Sequence, residues 1–110
     1  MRHHRRHGEL FINGDAVGTV VAESASESWG FGQFTPSDGY SKFAPIFGTW
    51  AILLHAEDDR SRLSTDALEE LRLAEAAIDA LKAELHWNDS PSRIPVHQLT
   101  IDGTLIEWNH

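Results

Sequence analysis

The chain has 110 residues, 41% of them apolar and four of them tryptophan, a length expected to bury one hydrophobic core and no second one. Its 17 Asp and Glu outnumber nine Lys and Arg, giving a formal charge of -8. It has no cysteine, which excludes disulfides, thiolate nucleophiles and Cys-ligated zinc and suits a reducing, cytoplasmic setting.

Charge divides the chain unevenly. Arg2, Arg5 and Arg6 stand with His3, His4 and His7 in the first seven residues, so residues 1–8 read as a flexible basic, His-rich arm. No apolar run follows this basic start, and a signal peptide is not expected. The rest, residues 9–110, reads as a single α+β domain. It holds six basic residues against all 17 acidic ones, a formal charge near -11, which repels phosphate backbones. Nucleic acid is therefore expected to meet this protein only through Arg2, Arg5 and Arg6.

In chain order, "ELFIN" and "AVGTVVAE" are strand-like and joined at Asn13-Gly14, a dipeptide that tolerates the positive φ of a tight hairpin turn. That turn pairs Ile12 with Asp15 and Leu10 with Val17, and puts Leu10, Ile12, Val17, Thr19 and Val21 on one face. A third strand is expected through "SWGFGQF", with Trp29 and Phe31 on one face and Gly30, Gly32 and Phe34 on the other. A first helical region, about 38–57, places Tyr40, Phe43, Phe47, Trp50 and Leu54 at steps of three and four, with Pro45 kinking it or starting a new helix. Apolar on nearly all sides, its residues 43–54 are expected either inside the domain or in a homodimer interface.

A second helix is read at about 65–87 from Ala67, Leu71, Ala74, Ile78, Leu81 and Leu85, with a solvated face of acids and Asp66/Glu69 as its cap pair. "VHQLTIDGTLIEW" then reads as a hairpin turned at Asp102-Gly103, pairing Leu99 with Ile106 and His97 with Trp108. The expected fold is an antiparallel sheet of about five strands, in the order β-β-β-α-α-β-β, covered on one face by a two-helix hairpin.

Chemical motifs are sparse. The glycines of "WGFGQFTP" miss the dinucleotide fingerprint, because Thr35 stands where its third glycine would be, and read as sites of close backbone approach. Trp29, Phe31, Phe34 and Tyr40 are the candidate binding residues, for a peptide or small molecule lying along an aromatic strip. His55 and His86 are read at helix ends, where the negative end of the dipole favours them. Glu57-Asp58-Asp59 resembles a calcium loop only at its start, since Arg60 and Arg62 fall where oxygen ligands belong. No catalytic residue, metal ligand or cofactor is assigned.

These observations favour a small non-catalytic protein-binding domain, an adaptor or antagonist, whose acidic surface takes a basic protein. In charge and general architecture such a domain is similar to bacterial immunity proteins and antitoxins. The alternatives are a small-molecule-binding protein or enzyme with a site near Trp29–Pro36, and a nucleic-acid-associated regulator using the basic arm.

Overall fold

The computed structural model describes residues 6–25, 29–55 and 64–109. Six strands, β1 (Arg6–Ile12), β2 (Asp15–Ala25), β3 (Trp29–Pro36), β4 (Ala83–Trp87), β5 (Ile94–Asp102) and β6 (Leu105–Asn109), form a closed antiparallel barrel in the order β1-β2-β3-β6-β5-β4. Between β3 and β4 come a 3-10 turn (Asp38–Tyr40), helix α1 (Ala44–His55) and helix α2 (Thr65–Asp79). The expected α+β class, antiparallel sheet and helix pair are present. The barrel closure and the sixth strand are not what the sequence suggested.

The extra strand accounts for both differences. The helix expected to reach residue 87 stops at Asp79, where Ala80 caps it through its N–H to the carbonyls of Ala76 and Ile78. Leu81 and Leu85 satisfy a helical spacing, but Ala83, Leu85 and Trp87 are buried while Glu84 and His86 are half-buried, the two-residue period of a strand. β4 then pairs with β1 from Gly8↔Trp87 to Ile12↔Ala83, and this pairing shuts the barrel. Asn13 holds the junction by donating its N–H to the Lys82 carbonyl at 2.8 Å and accepting the Lys82 N–H on Oδ1 at 2.9 Å.

Two bulges correct the expected registers. Asn13 (φ 54°) and Gly14 (φ 87°) make the predicted turn, and Ile12 pairs with Asp15, but a register shift after Phe11 sets Leu10 against Gly18. Since side chains alternate, one extra residue reverses everything beyond it: Val20 and Ala22 face the core, whereas Thr19 is exposed and Val21 half-buried. In the last hairpin Asp102 pairs with Leu105, so the turn is Gly103-Thr104, Ile101 faces Ile106, and His97 faces Asn109. A second bulge between His97 and Thr100 holds Gln98 at φ 49° and keeps Val96 and Leu99 both buried.

Barrel diameter grows with strand number, and eight strands already leave an interior just wide enough for side chains to fill. A six-stranded barrel admits two tryptophans only because the wall is thinned beside them. Trp87 and Trp108, each 1% exposed, lie 5.9 Å apart between ring centroids. Each indole crosses the glycine paired with it on the neighbouring strand: a Cβ on Gly8 would stand 2.8 Å from Trp87 Cε3, and one on Gly30 would stand 2.6 Å from Trp108 Cε2. Gly30 therefore serves close approach, as read from the sequence, and Gly8, read there as part of the arm, does the same on β1.

Phe43 in the turn before α1, Phe47 and Trp50 of α1, and Leu71, Ala74 and Ile78 of α2 join the barrel side chains in one buried cluster. Pro45 lies in the first turn of α1, where its missing N–H costs nothing, so the helix begins there rather than kinking. The N-cap of α2 is Ser64, whose Oγ accepts the Ala67 N–H at 3.1 Å; Asp66 sits in the first turn beside the positive end of the helix dipole. Among the described residues no helix is long and apolar enough to cross a membrane.

Candidate functional site

The four aromatics singled out in the sequence separate into two pairs. On the outer wall of β3, Trp29 is 40% exposed and Phe31 is half-buried, with ring centroids 5.2 Å apart. Phe34 points inward with Gly30 and Gly32 and is 1% exposed. Tyr40 meets it edge-on at 5.1 Å and stacks on Phe47 at 6.0 Å, tying the 3-10 turn to both β3 and α1. Phe34 and Tyr40 thus belong to the core boundary. Burial pushes the Tyr40 hydroxyl from its ordinary pKa of 10.0 up to about 12.

The basic arm and the histidines are also redistributed. Arg6, His7 and Gly8 are part of β1, so the strand takes up the last three residues read as arm. Arg6 pairs with Asp89 at 3.0 Å and lies 4.8 Å from the Trp87 ring, so its guanidinium is engaged on the barrel. Arg2 and Arg5 lie outside the described residues, as do Glu57, Asp58 and Asp59. His86 is on strand β4, not at a helix end, with Nε2 3.0 Å from the Ser90 carbonyl oxygen. His97 is exposed on β5. Among the described residues no three His, Asp or Glu side chains come together as metal ligands.

Surface chemistry concentrates on the helix pair. α2 carries Asp66, Glu69, Glu70, Glu75 and Asp79 against a single basic residue, Arg72, which pairs with Glu69 at 3.1 Å. Asp66, Glu69, Glu70 and Asp79 are all exposed. The spacing that buries Leu71, Ala74 and Ile78 turns these carboxylates outward, so core packing itself presents the acidic face.

On one flank of α2 an apolar groove of about 400 Å³ runs between the helices, lined by Pro45, Ile46 and Thr49 of α1 and by Leu73, Ala74 and Ala77 of α2, with Glu70 at its rim. Leu73 is 61% exposed and Ile52 of α1 is 73% exposed. A smaller, more polar crevice of about 180 Å³ lies where Trp50, α2 and the Gln98 bulge of β5 meet. Gln98, left-handed at the bulge, accepts a hydrogen bond from Asn109 Nδ2 on its side-chain Oε1. Sequence periodicity indicated the apolar character of α1; the groove needed knowledge of which neighbour covers which side. No protein-family model matches this chain, and neither does any curated protein or solved structure.

Proposed function

We propose that this protein is a non-catalytic binding domain that holds a basic protein against the exposed carboxylates of α2. The observation that carries the reading is the placement of five acids and one base on a helix whose other face is locked into the core. A surface fixed in this way attracts cationic partners at long range and costs little reorganisation on contact. The barrel lumen is occupied by Trp87, Trp108, Phe34 and their neighbours, so recognition falls to the outside of the molecule.

Capture from nuclease-treated extract tests this with two forms of the full chain, the wild type and E69Q/E70Q/D79N. The wild type is expected to retain a basic protein that the neutralised form loses. Equal retention by both forms would refute the assignment of α2.

A second reading, binding of a small molecule or peptide on the outer wall of β3, is supported by Trp29 and Phe31 lying side by side and accessible. Aromatic pairs of this kind offer large contact area at low entropy cost. Quenching of tryptophan emission by a ligand, lost in W29A, would favour it.

A further inference from the structure

Helix α2 divides its acids between two flanks. The buried stripe of Leu71, Ala74 and Ile78 runs between them, with Glu70 on the side of the α1 groove and Glu75 and Asp79 on the side of β5. Glu75 and Asp79 are four residues apart and adjoin on the helix surface, where like charges oppose helix formation. Asp79 is also the last residue of α2, at the negative end of the helix dipole, and the last turn holds no basic residue. It is exposed and makes no ion pair with any described residue. Local helix energetics therefore disfavour this pair of carboxylates, and a cation seated between them would offset the repulsion.

The crevice of about 180 Å³ on this flank has the chemistry to seat one. Its apolar lining comes from Trp50, Ile78 and Leu99. Its polar lining is Glu75, Asp79, Gln98 and Thr100, each offering an oxygen acceptor, with no Lys or Arg among them. The ligand that matches this set donates hydrogen bonds, carries positive charge and has an apolar stem. Arginine meets all three conditions: its guanidinium has five N–H donors and no acceptor, takes a carboxylate bidentately and stacks on aromatic rings. An anion would face two carboxylates instead.

The surroundings fix where the charged group belongs. Asp79 also lines two further crevices, of about 210 and 480 Å³, which continue the seam between the end of α2 and β5 past His97. The larger reaches Lys82, whose charge repels a cation at that end. The guanidinium is therefore favoured at the Trp50 end, and the remaining seam has room for the chain that carries it.

We infer that the crevice between α2 and β5 is an anchor site for an arginine side chain, held by Glu75 and Asp79 against Trp50, and that the basic partner supplies this arginine. A long side chain buried in such a pocket is the kind of contact that dominates interface energies. The source of the arginine rests on the α2 reading; the preference of the crevice for a guanidinium does not.

Titration of the full chain with N-acetyl-arginine amide, followed by NMR on the indole N–H signals of the four tryptophans, tests the inference. The Trp50 signal, identified by its loss in W50F, is expected to move saturably. N-acetyl-citrulline amide, of nearly the same shape but uncharged, should leave it in place. E75Q/D79N should weaken the arginine probe roughly 10-fold by removing its charged acceptors. E9Q/D38N, which removes two exposed acids outside the crevice, should leave its affinity within about 2-fold. Circular dichroism establishes that the variants are folded.

No movement with the arginine probe, equal movement with citrulline, or binding indifferent to E75Q/D79N would overturn the inference. Capture of a basic protein that is lost in E69Q/E70Q but kept in E75Q/D79N would remove the arginine anchor and leave the α2 reading. An arginine probe that binds as expected, with capture unchanged in E69Q/E70Q/D79N, would remove the α2 reading and leave the crevice.

Discussion

Replacing Gly30 by alanine puts a methyl group 2.6 Å from Trp108 Cε2, where carbon atoms prefer to sit about 3.5–4.0 Å apart. The overlap is near 1 Å. The indole has little room to withdraw, because Trp108 is 1% exposed and rests against Trp87 at 5.9 Å. Overpacking of this kind costs roughly 1–3 kcal/mol. Against a total stability of about 5–15 kcal/mol for an ordinary domain, the loss is easily measured.

The cause is isolated by repeating the substitution in a W108L background, where the six-membered ring is gone and the methyl enters vacated space. W108L should itself cost less than the ~3–5 kcal/mol of a tryptophan-to-alanine truncation, because leucine retains apolar volume. G30A should then cost under about 0.5 kcal/mol, a coupling of roughly 1–3 kcal/mol between the two sites. Urea unfolding followed by far-UV circular dichroism gives all four stabilities of the cycle. If G30A costs the same in both backgrounds, the indole does not lie over Gly30 and the account of the filled barrel fails.

Ser64→Ala removes the side-chain acceptor for the Ala67 N–H and should lower stability by about 1 kcal/mol, measurable by the same unfolding method. Asn13→Ala should cost about 1–2 kcal/mol, since it forfeits both an easily tolerated left-handed conformation and the acceptor for the Lys82 N–H. Gly48→Ala should raise stability by up to about 1 kcal/mol, since a Cβ there meets nothing within 4 Å and alanine is the better helix former. Tyr40 is the chain's single tyrosine, so absorbance reports it alone and should show half-ionisation near pH 12 instead of 10. Because folding raises this pKa, the native state holds the proton more tightly. That contribution to stability is complete below pH 10 and disappears as pH rises towards 12, and Y40F should abolish this part of the alkaline loss.

How far the sequence reveals the fold depends on whether the deciding contact is local. The Asn13-Gly14 turn, a strand through "SWGFGQF", which in the fold runs on to Pro36, and the start of α1 near Pro45 follow from residues within a few positions of one another, and all are present. Leu81 and Leu85 fit either period, so nothing local distinguishes a longer α2 from a new strand. The choice is made by β1, more than 70 positions away, which offers β4 an edge from Gly8 to Ile12. The bulges at Leu10/Phe11 and His97/Thr100 are likewise fixed by partner strands, and each reverses the faces beyond it.

The candidate surface was legible to the same extent. The acids of α2 and the apolar run of α1 were visible as composition and period. Trp29 and Phe31 were correctly separated from Gly30 and Gly32 by alternation alone. Alternation likewise sets Phe34 on the face opposite Trp29 and Phe31, whereas the packing of Tyr40 on Phe34 and Phe47 depends on how the 3-10 turn folds back, which alternation does not reach.

The central functional claim is that the acidic face of α2 binds a basic protein by charge. The most direct measurement is the affinity of the full chain for its captured partner as a function of ionic strength. The account predicts that affinity falls steadily as salt rises, with a shallower slope for E69Q/E70Q/D79N. An affinity that is independent of salt, or a slope unchanged by those three substitutions, would contradict it.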